Sequence, residues 1–262
     1  MKKEDLIKAI PTLEELYIIY SAFTRVPYIE CDSETFLDKA FFFFKEEDAK
    51  EFCEKLAEEK RQASVVKLGN KEMILQAFTT LFLYGIDAVE MVDGEERTLL
   101  ELSEFVRRPD ISNIPQEQRP VENPTLNLTI NHFLQEFRRQ VEPPTSEKIR
   151  ELESEMVANI LKSKYLLPFR PNENPDDKQV QLLLVKADEE RFMIPVFTDG
   201  YEFAKFRGAD ESIKPTVANL DNLFSIVLPE NTIGFVLNPA GASLTLAKEW
   251  IDKVKENRKE LQ

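Results

Sequence analysis

Glycine is scarce, with seven in 262 residues, and neither GxGxxG nor GxxxxGK[ST] occurs. Phosphate cradles of the dinucleotide or P-loop kind therefore have no candidate loop. Histidine occurs once, at His132. Zinc sites built from several histidines are excluded, and a Ser-His-Asp arrangement would rest on that single imidazole with no nucleophile motif to join it. Two cysteines, Cys31 and Cys53, make no disulfide framework, which agrees with a reducing, cytoplasmic compartment. Acids surround both, Glu30 and Asp32 at the first and Glu51 and Glu54 at the second, and negative charge disfavours the thiolate, so both thiols are expected to be inert. No run approaches the roughly 18 apolar residues of a membrane span. Met1 to Pro11 lacks the apolar centre of a signal peptide, so no membrane insertion is expected. No metal or cofactor is expected.

What is plentiful is phenylalanine and acid. Nineteen Phe stand against six Tyr and one Trp, within a composition that is 42% hydrophobic. Most of the aromatic mass thus lacks a polar handle and is expected inside a core. The formal charge is −14 and uneven, with 13 Lys+Arg against 23 Asp+Glu over residues 1–106 and 18 against 22 over 127–262. An acidic surface repels phosphate backbones and anionic lipid, so no nucleic-acid partner is expected and a basic partner is favoured. The acidic groups Glu46, Glu47, Asp48 and Glu58, Glu59 lie where helix ends and solvated faces explain them, and no calcium-loop spacing accompanies them.

Along the first half, TLEE with Leu13, Leu16, Tyr17 and Tyr20 predicts a helix over Thr12 to Tyr20. A strand over Arg25 to Cys31 and the run KAFFFF, Lys39 to Phe44, read as a hairpin whose second strand is buried on both faces. A helix follows from Lys45 to about Lys60, then a strand over Ser64 to Leu68. Asn70 starts the next helix, with Met73, Ile74, Ala77, Phe78, Leu81 and Phe82 on its apolar face and Gly85 at its stop. Ile86 to Gly94 reads as a strand ending in an Asp-Gly turn, and Thr98 to Phe105 as a short closing helix.

In the second half, LNLTINHFLQEFRRQV and SEKIRELESEMVANILKSKYLLPF give two helices, the second with Ile149, Leu152, Met156, Ile160 and Leu161 on one face. The apolar run RFMIPVF is too short for a helix and fits a buried strand, paired as a hairpin with QVQLLLV through a turn at Ala187 to Glu190. Thr198 and Asp199 are natural N-caps for the helix carrying Tyr201, Phe203 and Phe206. PTVANL leads to a helix around Asp221 to Leu228. A second buried strand runs to Asn238, Pro239 breaks it, and Gly241 permits a turn before a helix over Ala247 to Val254.

IPVFTDGYEFAKF and FVLNPAG, in that order and spacing, resemble the signature segments of the SseB family, named for enhanced serine sensitivity. The resemblance covers Leu128 to Lys255. It implies that family's α/β fold and carries no catalytic residue with it.

The element order of the first half repeats in the second. SVVKLGNKEMILQAFTTLFLYGIDAVEMVDG and PTVANLDNLFSIVLPENTIGFVLNPAG both run strand, Asn, apolar helix, final strand, which reads as an internal duplication whose first copy has diverged. The expected fold is therefore α/β of the mixed α+β kind, in two related units, each a mixed sheet with an antiparallel hairpin and packed helices. Residues 1–106 form the diverged unit, 107–126 a linker with four prolines, and 127–262 the SseB-like unit with extra N-terminal helices.

For function, the loop Asn238, Pro239, Gly241 ends a strand where open α/β sheets place ligands, although a tight turn closing the strand is the better explanation of it. With Thr198 and Asp199, and with Arg25 and Tyr28 on the first-copy strand, it makes up the candidate binding set. The expectation is a non-catalytic, cytoplasmic interaction or regulatory module with a protein or peptide partner and possible homo-oligomerisation. The alternative is a small-molecule binder or enzyme with a pocket between the copies.

Overall fold

A computed structural model describes residues 3–172 and 180–260. It divides into two compact units. Unit 1 comprises 1–119 and 124–159, and unit 2 comprises 120–123 and 160–262.

Unit 1 opens with helix α1 (Lys3–Ala9) and a 3-10 turn at Ile10–Thr12. Strands β1 (Leu16–Ser21), β2 (Ile29–Cys31) and β3 (Asp38–Phe43) lead to α2 (Glu46–Glu58), β4 (Ala63–Leu68), α3 (Lys71–Leu81), β5 (Ala88–Asp93) and β6 (Glu96–Glu101). The sheet runs β4-β1-β3-β5-β6, with β2 also paired to β3. β3 and β5 are parallel, and β1 with β3, β1 with β4 and β5 with β6 are antiparallel. Phe41 and Phe43 join Tyr17, Ile19, Ala49 and Leu56 in one cluster that includes the inner face of α2. Phe42, between them in sequence, stacks on Phe78 of α3 with ring centroids 4.5 Å apart. Successive strand residues face opposite ways, so a run of phenylalanines serves a sheet covered on both faces.

Three elements of unit 1 differ from the sequence reading. Thr12 to Tyr20 is not a helix: Leu16 onward is β1, paired along both edges. A central strand is apolar on both faces, with Leu16, Ile18 and Ile19 all fully buried, so its continuous apolar run also contains helix-spaced positions. Thr98 to Phe105 is likewise mostly strand, because Asp93 pairs with Glu96 across a two-residue turn that returns the chain as β6. The predicted strand at Arg25 to Cys31 contracts to β2, since Arg25 sits at φ +56° in a turn. Gly85 does end the α3 region as expected. It adopts φ +72°, and a Cβ there would lie 2.5 Å from the Pro124 carbonyl oxygen, so both the turn and the close approach require glycine.

Helices α4 (Pro124–Arg139) and α5 (Glu147–Lys162) follow; α5 stops at Lys162, and the LLPF that the sequence reading includes in this helix is strand instead. The sequence reading groups both with the C-terminal half, whereas α4 and α5 up to Asn159 pack with unit 1. Gln135 shows why: its amide accepts from Ile29 N at 3.3 Å and donates to Ile29 O at 3.0 Å, pairing the open edge of β2 as a strand would.

Unit 2 contains β7 (Lys164–Pro171), β8 (Val180–Leu182), β9 (Val185–Lys186), β10 (Phe192–Val196), α6 (Gly200–Arg207), β11 (Lys214–Asn219), α7 (Leu220–Ser225), β12 (Thr232–Leu237), β13 (Leu244–Ala247) and α8 (Lys248–Glu260). Part of the predicted hairpin, Gln179, lies outside the described residues. One sheet runs β13-β12-β10-β9 and another β11-β7-β8. Reciprocal backbone bonds between Leu166 and Phe197, 2.9 and 3.0 Å, tie β7 to the end of β10. With that tie the order is β11-β7-β10-β12-β13, and β10 with β12 is its parallel pair. Each position corresponds in order and direction to β4-β1-β3-β5-β6 of unit 1. Asn70 and Asn219 cap the helices after the matching strands β4 and β11, accepting from Met73 N and Asn222 N. β13 was not foreseen, because Leu244–Ala247 follows a turn with no break before α8.

Candidate functional site

The two signature segments meet at the C-terminal ends of the parallel strands β10 and β12. Asn238 N donates to Val196 O at 2.9 Å, which extends the pairing one residue past the strands. The Asn238 side chain then turns back: its Oδ1 accepts from Thr198 N at 3.0 Å and its Nδ2 donates to Thr198 Oγ1 at 2.9 Å. Thr198 Oγ1 passes its own hydrogen to Asp199 Oδ2 at 2.8 Å, and Asp199 Oδ1 caps α6 by accepting from Glu202 N at 2.9 Å. Asn123, reaching in from the segment before α4, donates to the carbonyls of Thr198 and Lys164 at 2.6 Å each.

Exposure is 0% at Thr198, 1% at Asp199 and 3% at Asn238. Each named polar atom is committed to another within the set, and a buried network satisfied in this way rigidifies the fold. Asn238 takes φ +51°, a conformation asparagine tolerates better than most residues. That lets Gly241 N and Ser243 N both return to Asn238 O, at 2.9 and 3.0 Å, and close the turn. Pro239 is half-buried, Gly241 buried and Ala240 exposed at the turn's tip.

One member of this site is absent from the sequence reading. Glu202 is 1% exposed and ion-pairs with Lys205. A Cβ on Gly241 would lie 2.6 Å from Glu202 Oε2, so glycine at 241 makes room for this carboxylate. Burial, followed by the charges of Glu202 and Asp199, raises the Tyr201 phenol above its usual range. In sequence Glu202 stands three residues after an N-cap, where an acid is ordinarily a solvated capping residue; its burial comes from the turn of β12 lying over it.

Arg25 and Tyr28 belong to unit 1 and to a separate set of contacts. Arg25 is an exposed turn residue, and Tyr28 is buried with its hydroxyl donating to Glu30 Oε1 at 2.7 Å. Burial, then the charge of Glu30, pushes the Tyr28 phenol far above its ordinary range. Both thiols are raised: Cys31 by burial and then by Asp38 and Asp32, Cys53 by burial alone. His132 Nε2 lies 2.7 Å from Asp38 Oδ1. Glu46 pairs with Lys50, and Asp48 accepts from Gly94 N. Among the described residues no group of three or more His, Cys, Asp or Glu is placed to hold a metal ion.

Unit 1 also holds a cleft of about 290 Å³, which the sequence reading did not find. β2, the residues after α2, α4 and α5 line it, and its charged walls include Arg61, Glu136 and Lys148. These residues are far apart in sequence and form no motif.

Fold and site together define a two-unit mixed α/β protein in which a buried polar network joins a strand-helix turn to a neighbouring strand end. Residues 146–252, in the C-terminal half of the chain, match the family model of the SseB protein N-terminal domain. No match was found among curated proteins. Among solved structures the chain is similar to Anabaena Tic22, described as a protein of protein transport, with 11% identity, 98% of each chain covered and a TM-score of 0.21. No helix among the described residues is long and apolar enough to cross a membrane.

Proposed function

We propose that this chain is a non-catalytic, cytoplasmic interaction or regulatory module of the SseB type, built by duplication of one α/β unit. The observation that supports the first part most strongly is the closed hydrogen-bond network of Thr198, Asp199 and Asn238. Catalysis requires a polar group that is accessible and free to change partners, whereas these groups are buried and engaged with one another. Their role in this reading is to hold the turn Asn238 to Ser243 rigid, so that its exposed tip at Ala240 is displayed to a partner. Support for duplication is the shared strand order and direction in the two units and the Asn caps at Asn70 and Asn219.

The test is a pull-down from a lysate of the source organism with wild type and Ala240→Arg, each first shown by thermal melting to be folded. Retention of one specific protein by wild type and its loss in Ala240→Arg supports the reading. No protein retained, with a small molecule carried through purification and seen by native mass spectrometry, refutes it.

A further inference from the structure

We propose that the free edge of β4 takes up an extended, acidic segment of a partner protein as an added strand. This surface lies in unit 1, apart from the unit 2 turn of the interaction reading, so either can fail alone. The direction of its backbone groups follows from β1. Tyr28 N donates to Ile19 O at 2.9 Å and Ser21 N to Val26 O at 3.0 Å, which turns the backbone groups of Ile19 and Ser21 away from β4. Val65 and Ala63 stand opposite Ile19 and Ser21, and Lys67 opposite Tyr17. Residues directly opposite in an antiparallel pair either exchange both bonds or both point away, in alternation, so Ala63, Val65 and Lys67 direct their N–H and C=O groups to the open side. β4 ends its sheet, and no hydrogen bond among the described residues reaches those groups.

Two comparable edges are guarded. Gln135 pairs the edge of β2. In unit 2 the strand matching β4 is β11, where Leu166 spends its backbone groups on Phe197 and so leaves Pro215, Val217 and Asn219 facing out. Pro215 has no N–H, and Asn219 N is taken by Asn222 Oδ1 at 3.1 Å. β4 has neither device, and an edge of free N–H and C=O groups is a template for a further strand. Val65 and Val66 are only half-buried, so alternate residues of an incoming strand meet an aliphatic neighbour on either face. Charge selects the partner. Residues 60–71, bounded by Glu59 and Glu72, carry Lys60, Arg61, Lys67 and Lys71 and no acid, in a chain of net charge −14. Arg61 is engaged by Glu59 and Glu136, and Lys67 by Glu15. Lys60 and Lys71, exposed beyond the two ends of β4, make no salt bridge among the described residues. An acidic strand is therefore drawn in, whereas a second copy of β4 would bring lysine against lysine.

The experiment pans a displayed library of random twelve-residue peptides against the full chain and follows the best binder by amide hydrogen exchange. Enriched sequences are expected to be acidic with alternating β-branched residues, and to bind less tightly as salt rises. The bound peptide is expected to protect the amides of Ala63, Val65 and Lys67 and to leave Ser64 and Val66, which face β1, unchanged. Val65→Pro, which deletes an outward N–H, is expected to abolish binding, and Lys60→Glu combined with Lys71→Glu to weaken it about tenfold. Lys253→Glu, on α8 of unit 2, is expected to leave it unchanged. Circular dichroism melts confirm folding of each variant. The proposal is overturned if no peptide is enriched, if the enriched ones are neutral or basic, or if protection fails to alternate along β4. It is equally overturned if the Lys60, Lys71 double variant binds as wild type does, or if sedimentation shows the chain alone forming a dimer that Val65→Pro dissolves.

Discussion

Replacing Asn238 tests whether the signature turn is a structural latch. In Asn238→Ala the Thr198 N–H loses its acceptor and the Thr198 hydroxyl loses a donor, both in a site at most 3% exposed. An unsatisfied buried N–H costs about 1–3 kcal/mol. Holding alanine at the φ of +51° found here adds about 1 kcal/mol. The expected loss is therefore about 2–4 kcal/mol, read as a lowered urea midpoint with unchanged slope. Asn238→Asp separates geometry from charge. Its carboxylate can still accept from Thr198 N but cannot donate to Thr198 Oγ1, and it adds a buried charge to a network that already contains Asp199. Burial and that neighbour raise the folded-state pKa of the new acid above its unfolded value of about 3.9. The folded state then holds more protons between those two values, so stability relative to wild type falls as pH rises through that window and is partly restored at acid pH. Asn238→Ala within about 0.5 kcal/mol of wild type, or Asn238→Asp with the wild-type pH dependence, would refute the latch.

Three further outcomes follow from the same structure. Gln135→Ala removes both partners of the Ile29 backbone and is expected to cost about 2 kcal/mol, with hydrogen exchange accelerating at the Ile29 amide; exchange unchanged there would show that α4 does not guard the β2 edge. Burial pushes the Glu136 carboxyl up, but its hydrogen bond from Lys148 and the charge of Arg61 prevail and hold it below the usual range. Its contribution is thus present above the unfolded pKa of about 4.3 and lost as pH falls through the folded one, so Glu136→Gln should be destabilised by about 2 kcal/mol at pH 7 and progressively less in acid. A difference from wild type that stays constant between pH 7 and 3 in urea titrations would contradict this. Phe42→Ala, which deletes a fully buried ring stacked on Phe78, should cost about 3–5 kcal/mol by chemical denaturation.

The sequence was most informative where local chemistry and packing agree. Asn70 at the start of α3, Asp199 at the start of α6 and Gly85 after α3 were legible because a cap or a positive-φ turn is decided within four residues. The Phe run of β3 was legible because only a strand covered on both faces takes three consecutive buried phenylalanines. β1 was misread for the same physical reason, since a central strand erases the alternation that tells strand from helix.

The sequence by itself determined the mixed α/β class, the order of most elements and the pairing of IPVFTDG with FVLNPAG as one structural signature. It could not say that Thr198 and Asn238 are buried against each other, that Glu202 is enclosed by the turn at Gly241, or that Arg61, Glu136 and Lys148 share a cleft. Burial and side-chain convergence depend on which elements lie across from one another, and residues on separate elements carry no local trace of that. Nor could the sequence place α4, whose amphipathic pattern does not name the surface it covers. The bonds of Gln135 to the β2 edge decided it, because an open strand edge demands partners for its N–H and C=O groups, and only the assembled sheet shows which edge is left open.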